Sequence, residues 1–170
     1  LDRGDGFLFP TFSSQTGLGF GLTTPYFLTL GPSRDLTFSP TITTKGGRTL
    51  GLRYRQAFDN GSISVTGALS RDRIQPGEMR GYVIADGVFA LRDGFRLAFH
   101  GEAVSDDAYF ADYGVSDADR ITNTVQTDRI RRDEYILARV INFNSLRDAE
   151  LPSATPYLVT DATYLRRFQL

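Results

Sequence analysis

Hydrophobic and polar residues alternate with a period of two along most of this chain, which is the pattern of β-strands with one apolar face. Residues 48–58 are an example, because Leu50, Leu52 and Tyr54 share one parity. Arg53 and Arg55 occupy the other parity of the same stretch. The alternation predicts about ten strands, at residues 6–12, 17–30, 35–44, 48–58, 62–70, 81–91, 95–104, 121–131, 135–146 and 157–168.

The predicted connections between these strands alternate in length. The longer ones follow the odd strands, at residues 13–16, 45–47, 71–80, 105–120 and 147–155. The short ones follow the even strands, at residues 31–34, 59–61, 92–94 and 132–133. Long loops on one rim and tight turns on the other are typical of an antiparallel up-and-down meander, including the membrane barrels of outer membranes. We find no repeat, linker or low-complexity tract, so residues 1–170 are expected to form a single all-β unit.

The apolar face of these strands admits two interpretations. In a soluble sandwich or small barrel, the apolar face would be the core. In a membrane barrel, the same face would contact lipid, and the polar face would line a wet lumen. Strands of about ten residues suit a tilted membrane-spanning strand, but the pattern alone leaves both interpretations open.

Composition removes several classes of function. The formal net charge is −1 and the isoelectric point is near 5.8, which argues against a nucleic-acid-binding module. Cysteine is absent, so no disulfide or thiolate chemistry is expected. No apolar run approaches the ~20 residues of a transmembrane helix. The chain begins at Leu1 without a signal peptide, and we expect it to be an excised or processed piece.

Candidate catalytic and metal-binding residues are few. His100 is the only histidine, and a hydrolase would need Ser64 or Ser70 to meet it with a third polar group. Residues 106–119 carry five aspartates without the spacing of a calcium loop. We therefore expect a polar lumen residue at His100 and a solvated acidic loop, with no catalytic site, metal site or cofactor.

Several motifs of the chain occur together and in order in one known family. The most specific is the stretch from Pro25 to Pro40, which includes the turn Leu30-Gly31-Pro32. The others are Gly6-Phe7-Leu8-Phe9-Pro10, Lys45-Gly46-Gly47, Leu52-Arg53-Tyr54, Arg71-Asp72-Arg73, Arg80 and the run from Val104 to Tyr113. On these motifs the chain resembles the LptD family of outer-membrane LPS-assembly proteins, also called organic solvent tolerance proteins. The resemblance is good up to about Tyr113 and covers only strand-level features beyond it.

The resemblance implies that this chain is the first part of a large transmembrane β-barrel in the outer membrane of a Gram-negative cell. In that family a periplasmic jellyroll domain precedes the barrel, and the last strand closes against the first. Lipopolysaccharide (LPS) arrives from a periplasmic bridge protein and leaves sideways through a seam beside the first strand. A plug lipoprotein, LptE, sits in the lumen. The jellyroll and the closing strand are expected to lie outside this chain.

The family also implies roles for individual residues. Pro10 and Pro25 match prolines that lie near the seam and act as a lateral gate, and Phe7 and Phe9 would lie on the strand beside it. Each proline removes one backbone N–H, which weakens pairing where the wall must part. Pro40 also matches the family but receives no gate role. Arginines of the polar face and loops are candidate contacts for LPS phosphates or the lumen: Arg53, Arg55, Arg71, Arg73 and Arg80.

Two other functions remain open from the residues themselves. A soluble all-β ligand-binding domain would use the apolar face as its core. An outer-membrane barrel hydrolase would depend on His100.

The family motif from Val104 to Tyr113 further predicts that Tyr109 and Phe110 pack into the structure.

Overall fold

A computed structural model describes residues 4–146 and 157–168 of the chain. These residues form one antiparallel β-sheet of twelve strands, which confirms the all-β fold class. The strands are β1 (Gly6–Phe7), β2 (Thr11–Gln15), β3 (Gly19–Thr23), β4 (Tyr26–Thr29), β5 (Arg34–Thr43), β6 (Arg48–Phe58), β7 (Gly61–Arg71), β8 (Arg80–Ala90), β9 (Phe95–Val104), β10 (Arg120–Ile130), β11 (Glu134–Ser145) and β12 (Leu158–Arg166). One short helix, α1 (Tyr109–Tyr113), lies between β9 and β10.

Connections in the sheet follow the predicted up-and-down order. From β4 to β12 every strand pairs with its neighbour in sequence. Residues 72–79 and 105–119 form the longest described loops on one edge, which we call the long-loop rim. Turns such as residues 59–60 and 131–133 lie on the opposite, short-turn rim. The predicted loop at residues 147–155 falls outside the described residues.

The first two predicted strands are each divided in two, so the strand count is twelve and not about ten. The first is interrupted at residues 8–10 and the second at Thr24 and Pro25. β3 and β4 still pair with β5 in one continuous register. The interruption is therefore local to the hairpin formed by β1 to β4, residues 6–29, which we call the first hairpin. Its turn lies at residues 16–18, because β2 continues to Gln15, and not at residues 13–16 as predicted.

Strand alternation gives the sheet two different faces. Cross-strand ion pairs lie on the polar face: Asp35–Arg55 at 2.9 Å, Arg96–Asp128 at 2.9 Å and Arg139–Asp161 at 3.0 Å. On the apolar face, Ile42 is 62% exposed and Leu69 is 54% exposed. Among the described residues, no second layer covers this apolar face, and only Leu18, Tyr109, Phe110 and Ile121 are buried hydrophobic residues.

The small core lies at the long-loop rim. Tyr109 and Phe110 of α1 are fully or almost fully buried and pack with Ile121, Tyr82 and Val104, which confirms their predicted structural role. Tyr82 of β8 contacts α1 from the polar face of the sheet. In the described part of the chain, no helix is long and apolar enough to cross a membrane.

Candidate functional site

The first hairpin contains a bulge at Pro10 and Pro25, the two prolines that were predicted to lie near a seam. Phe7 pairs with Tyr26 and Thr11 pairs with Thr23. Three residues on the first side, 8–10, therefore oppose two residues on the other side, 24–25. An extra residue of this kind disrupts the local ladder and bends the strand. Pro10 lies within this bulge, and Pro25 lies directly opposite it.

Two prolines each leave a one-sided hydrogen bond in this region. The Leu8 N–H donates to the Pro25 carbonyl at 2.8 Å, but Pro25 has no N–H to donate in return. The Thr24 N–H donates to the Pro40 carbonyl at 3.1 Å, and Pro40 cannot return that bond either. Pro25 thus weakens the pairing of β1 with β4, while Pro40 weakens the pairing of the first hairpin with β5.

The edge strand β1 is held by few interactions. Only Gly6 and Phe7 are paired in it. The ring of Phe7 meets that of Tyr26 edge to face, with centroids 5.0 Å apart, and Asp5 Oδ1 accepts a hydrogen bond of 2.6 Å from the Thr29 N–H. Phe9 follows β1, and its side chain is 94% exposed. Both predicted seam-adjacent residues are thus largely exposed, with Phe7 at 76%, and of the two only Phe7 is paired in the described sheet.

The turn end of the first hairpin is held much more firmly. Leu18 is buried, and its carbonyl accepts a hydrogen bond from the Lys45 N–H at 3.2 Å. Lys45 Nζ also donates to the Thr16 carbonyl at 2.6 Å. A Cβ on Gly17 would lie 2.8 Å from Ile74 Cδ1, so the turn packs closely against the loop at residues 72–79.

A buried ion cluster around Arg80 joins the two long loops. The side chain of Arg80 is 1% exposed. Its guanidinium donates to Asp106 through Nε at 2.9 Å and Nη2 at 2.6 Å, and to Asp112 at 2.8 Å. Asp72 completes the cluster at 3.3 Å. We call residues 72–79 and 105–119 the loop cap, because this cluster fixes them together over the polar face.

Hydrogen bonds and aromatic packing anchor the loop cap to the sheet. The Tyr113 hydroxyl donates to Asp72 Oδ2 at 2.5 Å, and the Tyr109 hydroxyl bonds Ser70 Oγ at 2.7 Å. The rings of Tyr109 and Tyr113 stack with centroids 4.4 Å apart. The guanidinium of Arg80 lies within cation–π range of both rings. The cap is therefore a packed structure and not the solvated acidic loop that was predicted.

The loop cap also touches the first hairpin directly. Gly114 ends α1 in the left-handed conformation, and a Cβ there would overlap the side-chain amide of Gln15 in β2. A cavity of about 200 Å³ lies beside this contact, between the polar face of the first hairpin and α1. Its walls include Ser13 and Thr23 of the hairpin. The hairpin is thus held at the long-loop rim and loosely paired at the short-turn rim.

The pKa values of the cap carboxyls follow from these contacts. The hydrogen bond from Arg80 lowers the pKa of Asp106, and this effect exceeds the opposing effect of burial. Burial by itself would raise the pKa of Asp72, but hydrogen bonds from Tyr113 and from two backbone amides lower it overall. Burial, followed by the hydrogen bond to Asp72, raises the pKa of Tyr113 to about 12. The cluster therefore favours ionised carboxylates and a protonated tyrosine.

The predicted arginine contacts do not form one site. Arg53 and Arg55 lie on the polar face, where Arg55 is paired with Asp35. Arg71 lies at the end of β7, opposite Arg48, and both belong to the apolar face of the sheet. Arg73 lies in the loop cap. Arg80 is buried within the ion cluster, so its predicted role as a phosphate contact is wrong.

The remaining candidates for chemistry are His100, Ser64 and Ser70, all on the polar face of the sheet. His100 Nδ1 bonds Asp86 at 2.6 Å, and His100 Nε2 lies 3.1 Å from Glu102. Ser70 bonds Thr49 and Tyr109 instead of His100. In residues 4–146 and 157–168, no group of three or more His, Asp or Glu side chains is arranged to hold a metal ion. Ser64 pairs with Asp86 across β7 and β8, but among the described residues no hydrogen bond joins Ser64 or Ser70 to His100.

Sequence reasoning missed the ion cluster, although its residues stood in the quoted motifs. Asp72 and Arg80 lie eight positions apart, while Asp106 and Asp112 come from a separate motif. A buried arginine needs several carboxylates to compensate its loss of hydration. The acidic run and the isolated Arg80 could have been combined on that ground, but their distance in sequence gave no direct signal of contact.

Comparisons with known proteins agree with one another. The family model described as "LptD: LPS transport system D" matches residues 78–168. The LPS-assembly protein LptD of Cupriavidus necator is 32% identical over 172 residues, covering 97% of this chain and 21% of that protein. The LptD proteins of Shewanella oneidensis and Bordetella pertussis are 31% and 28% identical, over 88% and 92% of this chain and 20% of each protein. The chain thus spans about a fifth of the length of the curated relatives it matches.

Proposed function

The chain belongs to the LptD family of LPS transport system D proteins, and from this membership we propose that it is part of an outer-membrane β-barrel that assembles LPS at the cell surface. The proposed role is transport and not catalysis. LPS is the proposed substrate, and a Gram-negative outer membrane is the proposed location. Residues 1–170 would form one segment of the barrel wall, with the periplasmic domain and the closing strands supplied from outside the chain.

The two faces of the sheet support a membrane location. Large aliphatic side chains such as Ile42 and Leu69 are exposed on one face, as lipid contact requires. The opposite face carries the paired charges Asp35–Arg55 and Arg96–Asp128, as a wet lumen allows. The soluble alternative is disfavoured, because that fold would bury the apolar face among its own residues, and the described residues leave it uncovered.

The first hairpin is the proposed lateral gate. The single observation that carries this proposal is the bulge at Pro10 and Pro25, where the Leu8–Pro25 pair has one hydrogen bond in place of two. The missing backbone hydrogen bond weakens the pairing of β1 with β4. In lipid, a backbone N–H or carbonyl without a hydrogen bond costs more free energy than in water. LPS would leave between β1 and a closing strand outside this chain, with Phe7 and Phe9 beside its path.

The proposed partners follow the family as well. The plug lipoprotein LptE would contact the polar face from the lumen, where Arg53 and Arg55 lie. A periplasmic bridge protein would deliver LPS through the domain that precedes the barrel. No nucleic-acid partner is proposed.

Replacing both gate prolines tests this proposal. In the complete protein, the double variant Pro10→Ala and Pro25→Ala restores two backbone donors, each contributing about 0.5–1.5 kcal/mol to pairing. We expect a tighter seam and less LPS at the cell surface, measured by surface labelling at equal barrel abundance. Pro76→Ala, in the loop cap, is the matched control and should leave surface LPS unchanged. Normal surface LPS in the double variant would contradict the gate assignment.

A further inference from the structure

Two arginines lie side by side on the apolar face of the sheet at the long-loop rim. Arg48, the first residue of β6, pairs directly with Arg71, the last residue of β7. Like charges in directly opposite positions destabilise a sheet. Their pairing is therefore unfavourable, and an anion bound between the two guanidinium groups would offset it.

Neither arginine has a carboxylate partner among the residues that the structure describes. Other arginines of the described chain do, among them Arg55, Arg80, Arg96, Arg129 and Arg139. Within the described ranges, no ion pair involves Arg48 or Arg71. The adjacent Asp72 is buried and bound to Arg80 and Tyr113, so its charge is directed into the loop cap and away from these two guanidinium groups.

Two further cations extend this basic patch. A Cβ on Gly46 would lie 3.1 Å from Arg73 Nε, which places the Arg73 guanidinium over the turn that leads into Arg48. Lys45 lies in the same turn, with its ammonium on the Thr16 carbonyl. The patch therefore carries four positive charges, on Lys45, Arg48, Arg71 and Arg73.

Exposed aliphatic side chains lie directly beside the patch on the same face. Ile42 pairs with Arg48 across β5 and β6, and Leu50 pairs with Leu69 one step further from the rim. All three aliphatic side chains are exposed. A cationic cluster above an apolar strip fits a molecule with an anionic head and acyl chains.

We propose that Arg48 and Arg71 on the apolar face, with Arg73 and Lys45 at the adjoining long-loop rim, form a binding site for the phosphorylated glycolipid head of LPS at the edge of the outer wall of the barrel. This inference rests on the proposed function, since it requires the apolar face to contact lipid. Arginine binds phosphate through paired, charge-assisted hydrogen bonds. Four cations exceed the single charge of a phosphodiester lipid, so a head with more than one phosphate group matches the patch better than an ordinary phospholipid.

The site is tested with the complete protein, purified in detergent with its partner lipoprotein. Binding is measured by native mass spectrometry with three probes: purified LPS, the same LPS after removal of its phosphates, and phosphatidylglycerol. The variant is Arg48→Gln with Arg71→Gln. The matched control is Arg34→Gln, which removes an exposed arginine of the same apolar face at the opposite, short-turn rim, where it pairs with Gln56.

We expect the double variant to bind intact LPS about tenfold more weakly or worse, because two charge-assisted contacts are lost. Dephosphorylated LPS should bind the wild-type protein weakly and show little further loss in the variant. Arg34→Gln should bind LPS as the wild type does. Unchanged LPS binding in the double variant would overturn the site, and an equal loss in Arg34→Gln would replace it with a general charge effect. Equal binding and equal loss of phosphatidylglycerol would overturn the LPS assignment.

This outcome is separable from that of the proposed function. Surface LPS in the proline double variant reports on the gate, whether or not the arginine patch binds LPS. A failed arginine test with a positive proline test removes only the outer-wall site. Unchanged surface LPS in the proline variant, with positive LPS binding at the patch, contradicts the gate and leaves the site in place.

Discussion

Arg80 shows how a single residue can fix the position of two long loops. It binds Asp106 and Asp112 from one loop and Asp72 from the other, and Tyr109 and Tyr113 cover it. Removing one member of a buried charge cluster is strongly destabilising, since the remaining charges lose their partners. The loop cap therefore depends on ionised carboxylates as well as on its small apolar core.

The lowered pKa values of Asp72 and Asp106 predict how the cap responds to acid. A carboxyl with a lowered folded pKa contributes stability that is fully present above its unfolded pKa, about 4, and is lost as the pH falls through the folded value. We expect protease resistance of residues 105–119 in the complete protein to be constant from about pH 5 to pH 8 and to decline below about pH 4. Arg80→Gln should lower this resistance at neutral pH and flatten its acid dependence. Resistance in the wild type that is insensitive to acid would contradict the account of the cluster.

Individual residue roles were only partly predictable from sequence. The burial of Tyr109 and Phe110 was expected from their motif and is confirmed. The role of Arg80 was mistaken, because alternation assigns a residue to a face but does not identify the loop that folds onto that face. The pairing of Arg48 with Arg71 depends on strand register, which turn lengths determine only within a residue or two.

The first hairpin is the element in which local sequence and sheet pairing conflict. Alternation predicted two continuous strands, but Pro10 and Pro25 divide them and shift their register by one residue. Proline was expected to weaken pairing on chemical grounds. The bulge was not expected, because it depends on which residues oppose each other across the hairpin. The one-sided hydrogen bond between Thr24 and Pro40 could likewise not be predicted, because it depends on the register of β5.

The contact between α1 and β2 predicts that the loop cap stabilises the first hairpin. Gly114 and Gly77 both have left-handed backbones, with φ of 61° and 88°, but only a Cβ on Gly114 would meet a neighbour, Gln15. Alanine at either position costs about 1–2 kcal/mol of backbone strain. We expect Gly114→Ala to increase amide hydrogen exchange in β2 and β3, and Gly77→Ala to leave it unchanged. Exchange in β2 and β3 of the Gly114→Ala variant that equals that of the wild type would mean that α1 does not hold the hairpin through Gln15.

At the scale of the whole molecule, the sheet is divided between a polar and an apolar face. The sequence predicted this division and the up-and-down order correctly, because both depend on local alternation and turn chemistry. It left open what the apolar face contacts, since a soluble core and a lipid surface require the same residues. In the structure, the described residues do not cover this face. The proposal that the face contacts a membrane comes from the family to which the chain belongs.

The proposed lipid contact predicts opposite environments for adjacent residues of β6. A nitroxide label at Leu52 should be accessible to oxygen dissolved in the bilayer and shielded from a water-soluble nickel relaxation agent. The same label at Arg53, on the polar face, should show less oxygen access. Labels with the same accessibility at both positions of the reconstituted complete protein would contradict a barrel wall with one lipid-facing side.

The most direct test of the account is to find LPS beside the first strand. A photo-crosslinking residue replaces Phe9, whose exposed side chain follows β1, in the complete protein in cells. The matched control position is Leu97 in β9, well away from the seam. The account predicts LPS adducts at position 9 and none at position 97. Adducts at neither position, or equal adducts at both, from a correctly assembled barrel would contradict release of LPS beside the proline-interrupted hairpin.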